Sequence, residues 1–266
     1  MDLIKSIALG IIQGLTEFLP VSSSGHLVIF ERLFNVEAHN LVFEILVHLG
    51  TLVAVIIYFR KKLMFIISSF LRSPLGKSGS PEDKQYCRLG WFIVLGTIPA
   101  AIVGLLAKDY IELAFASARW SAAMLLITAA ILIFTKWAKR SDRNLSFYRA
   151  LIIGFAQAVA IMPGISRSGS TISAGMFSGL KNSEAAEFSF LLSIPAILGA
   201  TVLELPDFIS EMNNMELFVI HIVGAIVAGV VGYLSIAFLM NIIKKGKFFY
   251  FGLYCAAVGI LGIIFL

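Results

Sequence analysis

The chain has 266 residues, of which 59% are apolar and only 14% charged, with a mean hydropathy of +0.92 and a formal net charge of +5. A soluble globule carries about a quarter of its residues charged, so this composition excludes one and makes lipid the solvent of the fold. The basic residues gather between apolar runs, as in membrane proteins, and so give no argument for nucleic acid; the two cysteines, Cys87 and Cys255, make neither a disulfide framework nor a metal-ligand spacing.

In chain order, Met1-Asp2-Leu3-Ile4-Lys5 has no basic region ahead of the first apolar stretch and no small-residue cleavage site behind it, so no removable signal peptide is expected. The segment from Leu3 to Phe34 is apolar at both ends and polar in the middle. Six runs then follow that are long and apolar enough to cross a bilayer: Leu41 to Phe59, Leu89 to Ala107, Trp120 to Trp137, Ala185 to Leu203, Leu217 to Met240 and Phe248 to Leu266. Between the third and fourth lies a second polar-centred segment, Phe147 to Leu180.

Of the 21 Lys and Arg, seven fall between Arg60 and Arg88, five between Lys136 and Arg149, and three are Lys244, Lys245 and Lys247. These three connections are expected on the cytoplasmic side. The stretch from Glu204 to Glu216, with Asp207 and Glu211 and no basic residue, and the connection around Lys108, Asp109 and Glu112 are expected outside. Alternation of the spans then makes each polar-centred segment leave on the side it entered: the first from outside, given an N-terminus that is also outside, and the second, flanked by Arg149 and Lys181, from the cytoplasm. Non-helical backbone at membrane depth survives only inside protein or beside a water-filled cavity, so two re-entrant loops point to a site.

The two segments resemble each other. Gln13, Pro20 and Ser22-Ser23-Ser24-Gly25-His26 have counterparts in Gln157, Pro163 and Ser166-Arg167-Ser168-Gly169-Ser170, and Glu44 has one in Glu187. The expected architecture is an all-α polytopic membrane protein of six transmembrane helices plus two re-entrant helix-loop-helix segments, arranged as an inverted-topology repeat within a single membrane domain, 1–266. The first repeat covers 1–107, with its re-entrant segment at 3–34. A linking span lies in 108–146, the inverted second repeat covers 147–243 with its re-entrant segment at 147–180, and a C-terminal span covers 244–266. Inversion of that kind brings two loop tips together near the midplane.

At spacing i, i+4, Gln13 and Glu17 share one helix face and can converge on a ligand or cation, and Pro20 ends that helix. An acid at the bilayer centre costs about 2.5 to 3.5 kcal/mol on insertion scales, so Glu17 is either paired within the bundle or functional. Three serines followed by Gly25 supply hydroxyls and free backbone N–H groups at a helix start, which suits an anion and also suits a packed turn. His26 fits a hydrogen-bonded interior histidine, a proton-transfer group or a nucleophile. Arg167 offers a planar fork of donors matched to two phosphate oxygens. It also fits an ion pair with Glu17 across the repeat interface, which function in the empty state would tolerate. Ser166, Ser168, Ser170 and Thr171 add hydroxyls, and Gly164 and Gly169 let backbone approach.

Gln13-Gly-Leu-Thr-Glu17 resembles the (Glu/Gln)-x-x-x-Glu motif, and Pro163-Gly-Ile-Ser-Arg-Ser-Gly-Ser-Thr171 the Pro-Gly-x-Ser-Arg-Ser-x-x-Thr motif, of bacterial undecaprenyl-diphosphatases of the bacitracin-resistance type. The resemblance covers essentially the whole chain. It implies removal of the terminal phosphate of undecaprenyl diphosphate, a divalent cation (Mg2+ or Ca2+) at Glu17 and Gln13, and a cleft facing the outer side of the bacterial cytoplasmic membrane. Gln13 stands where other members have an acid, which weakens it as a charged ligand. The resemblance points to Ser23 or His26 as nucleophile. Our reading has Ser23 attack with His26 as general base, alongside alternatives in which His26 carries the phospho-intermediate or activates water. Ser24, Ser166, Arg167, Ser168 and Thr171 would hold phosphate oxygens. Membrane lipid and the lipid substrate are the expected partners, and the family together with the exposed apolar spans suits a homodimer. Architecture alone would equally suit a secondary transporter of a phosphorylated lipid or an ion. A purely structural subunit would leave Glu17 and Arg167 unexplained.

Overall fold

A computed structural model describes residues 1–36, 41–72, 80–138, 142–211 and 215–266. Lys77, Lys139 and Arg140, counted above among the basic connections, lie outside these residues, as do the side chains of Glu112, Asp207 and Glu211. The described residues form helices and no strand. In order these are α1 (Leu3–Phe18), α2 (Ser23–Leu33), α3 (Leu41–Tyr58), α4 (Arg60–Arg72), α5 (Pro81–Leu106), α6 (Lys108–Phe115), α7 (Ala118–Phe134, continued by a 3-10 turn over Thr135–Trp137), α8 (Phe147–Val159), α9 (Arg167–Phe177), α10 (Asn182–Glu211), α11 (Met215–Lys244) and α12 (Tyr250–Phe265). The protein is a multi-pass membrane protein.

Among the described residues five helices are long and apolar enough to cross: α3, α5, α7 with its 3-10 turn, α10 and α11. The sixth expected span is the 16-residue α12, about 24 Å of helix at 1.5 Å per residue, shorter than the ~30 Å hydrocarbon layer. Several helices outrun their apolar cores. α5 begins at Pro81, where the Ser80 hydroxyl accepts the Asp83 N–H at 3.0 Å and Pro occupies the first turn. The basic connection from Arg60 contains the helix α4, of which only Ile66 and Ser69 are buried; its Lys62 pairs with Glu187 of α10.

Each polar-centred segment is a helix-turn-helix. α1 is capped by Asp2, which accepts the Lys5 N–H at 2.9 Å, and stops at Leu19, held extended (φ −64°, ψ 143°) by the following Pro20. α8 ends at Ala160, three residues before Pro163. The first hairpin packs along a helix from the other half of the chain, α1 on α11, and the second does the reciprocal, α8 on α5. Small residues make these approaches possible: a Cβ on Gly10 would lie 2.4 Å from the Gly224 carbonyl oxygen, and one on Gly154 would lie 2.6 Å from that of Gly96. The two helices left outside the sequence repeat, α7 and α12, pack on each other. This interleaving carries the tips of both hairpins into the protein interior.

Candidate active site

The two turns between paired helices meet. α2 starts at Ser23 and α9 at Arg167, and each start is closed by a serine whose hydroxyl accepts a backbone N–H three residues on: Ser22 from Gly25 at 3.3 Å and Ser166 from Gly169 at 3.0 Å. Tight backbone accompanies both caps. Ser22 has φ +67°, uncommon for a side-chain-bearing residue, and Gly164 has φ +91°, where an added Cβ would sit 2.1 Å from the Ser121 carbonyl oxygen. The hydroxyl of Thr128 on α7 donates to the Gly164 carbonyl at 2.8 Å and accepts the Ser166 N–H at 2.9 Å, fixing the second turn.

Glu17 is the point on which the two turns converge. It lies near the end of α1 and is 7% exposed. Its Oε1 accepts from Arg167 Nη2 at 2.6 Å, so the ion pair across the two halves is present. Its Oε2 accepts from Ser23 Oγ at 2.5 Å and from Gln13 Nε2 at 3.1 Å, and His48 Nε2 of α3 lies 3.7 Å away. The arginine makes the buried carboxylate tolerable, and either charge alone would be expensive here. Arg167 Nη1, on the other arm of the fork, is buried with no partner.

These groups sit at one end of a cavity of about 670 Å³. Glu17, Ser22, Ser23, Ser24, His48, Gln157, Ser166 and Arg167 line its polar end. The rest of the wall is mainly apolar, built by α5 and α6 (Ala100, Ala101, Ile111, Phe115) and by α10 beyond Pro195 (Ala196 to Leu203), with Glu44, Thr97, Thr201 and Glu204 as its polar members. A shallower surface groove between α7 and α9, lined by Leu126, Ile127, Phe134, Trp137 and Phe177, has no polar side chain able to do chemistry. The amino ends of α2 and α9 both border the polar end, adding partial positive charge to that of Arg167. The cavity suits an anionic head attached to an apolar body.

The predicted residues divide by position. Glu17, Ser23, Ser24, Ser166 and Arg167 line the cavity. Ser168 instead donates to the Leu19 carbonyl at 3.1 Å, latching one turn to the other. Thr171 is fully buried, with Oγ1 2.8 Å from the Arg167 carbonyl and 2.5 Å from Ser189 Oγ of α10, and so anchors α9. Both hydroxyls face inward because successive residues of a helix point 100° apart, so a run of serines at a helix start cannot all face one ligand. His26 is also turned away from Ser23. Its Nδ1 lies 2.9 Å from the Ser22 carbonyl and its Nε2 2.9 Å from the Tyr254 hydroxyl of α12, on whose ring it stacks at 5.6 Å. A carbonyl only accepts, so Nδ1 carries the proton and neutral Nε2 accepts from the tyrosine.

Among the described residues no three Asp, Glu, His or Cys gather into a metal cage. The oxygens at Glu17 nonetheless fit a hard cation of the kind held by one carboxylate together with substrate phosphates. The observation in favour is Gln13 Oε1, buried without a partner beside that carboxylate. Residues absent from the sequence reading are His48, Thr128, Ser189 and Tyr254. A histidine inside the apolar run from Leu41 to Phe59 was a readable signal, whereas Tyr254, 228 positions from His26, was not.

Comparison with known proteins identifies the family. The bacitracin resistance protein BacA family matches residues 6–261. A protein of Korarchaeum cryptofilum named undecaprenyl-diphosphatase is 45% identical, covering 98% of this chain and 98% of its own length. Proteins of the same name from Elusimicrobium minutum and Desulforapulum autotrophicum are 43% and 40% identical, each over 99% of this chain and 98% of their own lengths. Both loops and all the cavity-lining residues named above fall inside the matched region, and the chain belongs to the BacA family of bacitracin resistance proteins.

Proposed function

We propose that the protein hydrolyses undecaprenyl diphosphate to undecaprenyl phosphate and inorganic phosphate, regenerating the monophosphate carrier used in cell-wall synthesis. The observation that carries the reading is the meeting of Ser23, Glu17 and Arg167 at the polar end of a mainly apolar cavity, with one arm of the guanidinium unpartnered. The names of its relatives and the bacitracin-resistance description of the family support the substrate.

Ser23 Oγ attacks the terminal phosphorus while Glu17 Oε2, already its acceptor, takes the hydroxyl proton. The bond from that phosphorus to the bridging oxygen breaks, and the lipid monophosphate leaves. Water then cleaves the phosphoserine, Glu17 relaying the proton back to Ser23 as phosphate departs. Arg167 neutralises the phosphate oxygens throughout, with Nη1 free to bind before Nη2 need leave Glu17. Ser24 and Ser166 donate to the same oxygens. His26 and Tyr254 hold the turn at Ser22, while Ser168 and Thr171 hold α9. Glu17 and the Gln13 amide oxygen would bind Mg2+ or Ca2+ jointly with the diphosphate, and such a cation supplies further neutralisation of its oxygens.

The reciprocal packing of the two hairpins supports reading 1–107 and 147–243 as inverted copies. The excess of Lys and Arg in the sequence connecting α3 to α5 and α7 to α8, set against the stretch from Glu204 to Glu216 that has no basic residue and begins at the cavity-lining Glu204, supports an active site on the outer face of the cytoplasmic membrane. The test is inorganic phosphate release from a long-chain prenyl diphosphate by detergent-purified protein, with and without chelator. Cation-dependent release supports the phosphatase; saturable binding without release would instead support a transporter.

A further inference from the structure

The inverted copy of the Gln13–Glu17 pair is Gln157–Ile161: where the first hairpin has a carboxylate one turn after its glutamine, the second has isoleucine. Gln157 lies on α8, is 2% exposed and lines the cavity. Neither its Nε2 nor its Oε1 has a partner, although Gln13 Nε2, at the equivalent position, donates to Glu17. A buried primary amide with both ends unsatisfied costs about 1 to 3 kcal/mol per group, and a packed site would be expected to replace it by leucine. Around it the cavity wall is Ala100, Ala101, Ala160 and Ile161, with Thr97 Oγ1 already donating to the Ile93 carbonyl. The amide is therefore a buried, unpartnered polar donor in the same cavity as the Arg167 cluster.

We propose that Gln157 is a substrate-binding residue for the phosphate that stays with the lipid, its Nε2 donating to a non-bridging oxygen of that group. This rests on the phosphatase reading above. The terminal phosphate, attacked by Ser23, finds its donors in Arg167, Ser24 and Ser166. A diphosphate lying with its terminal group there and its tail along the alanines of α5 and α10 leaves its second phosphate to the unpartnered amide. The loss of the carboxylate at position 161 then has a physical sense: an acid there would repel the same anion.

Gln157→Leu conserves volume and removes both polar atoms, and Gln157→Glu adds charge. In detergent-purified protein assayed by phosphate release, Gln157→Leu should raise KM for a prenyl diphosphate about tenfold with kcat changed less than about threefold. Competitive inhibition by prenyl monophosphate should weaken by a similar factor, while inhibition by inorganic phosphate stays as in the parent. Gln157→Glu should weaken the monophosphate further than leucine does. Unchanged KM and unchanged monophosphate inhibition in a leucine variant of normal thermal stability would overturn the proposal, as would weakened inhibition by inorganic phosphate alone. If the parent protein binds the prenyl diphosphate but releases no phosphate, the phosphatase reading fails instead; direct binding of the monophosphate to the parent and both variants then still decides the role of Gln157.

Discussion

Replacing Arg167 by lysine isolates what the fork of the guanidinium does. Nη2 holds Glu17 at 2.6 Å while Nη1 is buried without a partner, so one side chain reaches the carboxylate and offers a second donor to a phosphate oxygen. A lysine ammonium keeps the charge and can keep the pair with Glu17, but it is a single point and cannot present two parallel donors. The cost to folding is then small, unlike that of Arg167→Ala, which would strand Glu17 at a penalty of about 3 to 5 kcal/mol. The cost to turnover is that of losing one oriented donor to a developing oxyanion, about 10²- to 10³-fold in kcat. The assay is inorganic phosphate release under saturating prenyl diphosphate, with the thermal midpoint of the purified variant measured alongside. A folded Arg167→Lys protein within about threefold of the parent rate would refute the assignment.

Two further substitutions separate support from chemistry. Thr171→Val removes the hydroxyl that meets Ser189 at 2.5 Å but keeps the shape, so stability should fall by about 1 to 3 kcal/mol with kcat lowered less than about tenfold; a loss as large as that of Arg167→Lys would mean that Thr171 reaches the phosphate. Tyr254→Phe leaves His26 Nε2 without its partner while Nδ1 stays on the Ser22 carbonyl. If His26 only steadies that turn, kcat should change less than about tenfold, whereas a fall of 10²-fold or more would put Nε2 in the proton transfer.

Much of the architecture was legible because a bilayer punishes exceptions. A serine, glycine and arginine motif inside apolar sequence had to be buried together, and the Glu17–Arg167 pair follows from the cost of either charge alone. Helix ends were less legible: the apolar run from Leu89 marks lipid, but the helix starts at Pro81 because Ser80 caps it in water. Side-chain direction was least legible. The motif reading counted Ser166, Ser168 and Thr171 as one set of phosphate ligands, yet only Ser166 of the three lines the cavity, since α9 turns the others toward Leu19 and Ser189. His26 reads, on the resemblance, as general base to Ser23, while the structure gives Ser23 to Glu17 and His26 to Tyr254, a residue on the last helix that no local pattern announces.

The reaction assigned to Ser23 leaves a covalent trace. Rapid acid quenching of the purified protein with prenyl diphosphate labelled in its terminal phosphate, followed by peptide mass spectrometry, should place an acid-stable phosphoryl group on Ser23. Ser23→Ala should abolish both that label and phosphate release. Phosphorylation of His26, sought by quenching in base because phosphohistidine is acid-labile, or undiminished release by Ser23→Ala, would contradict the account.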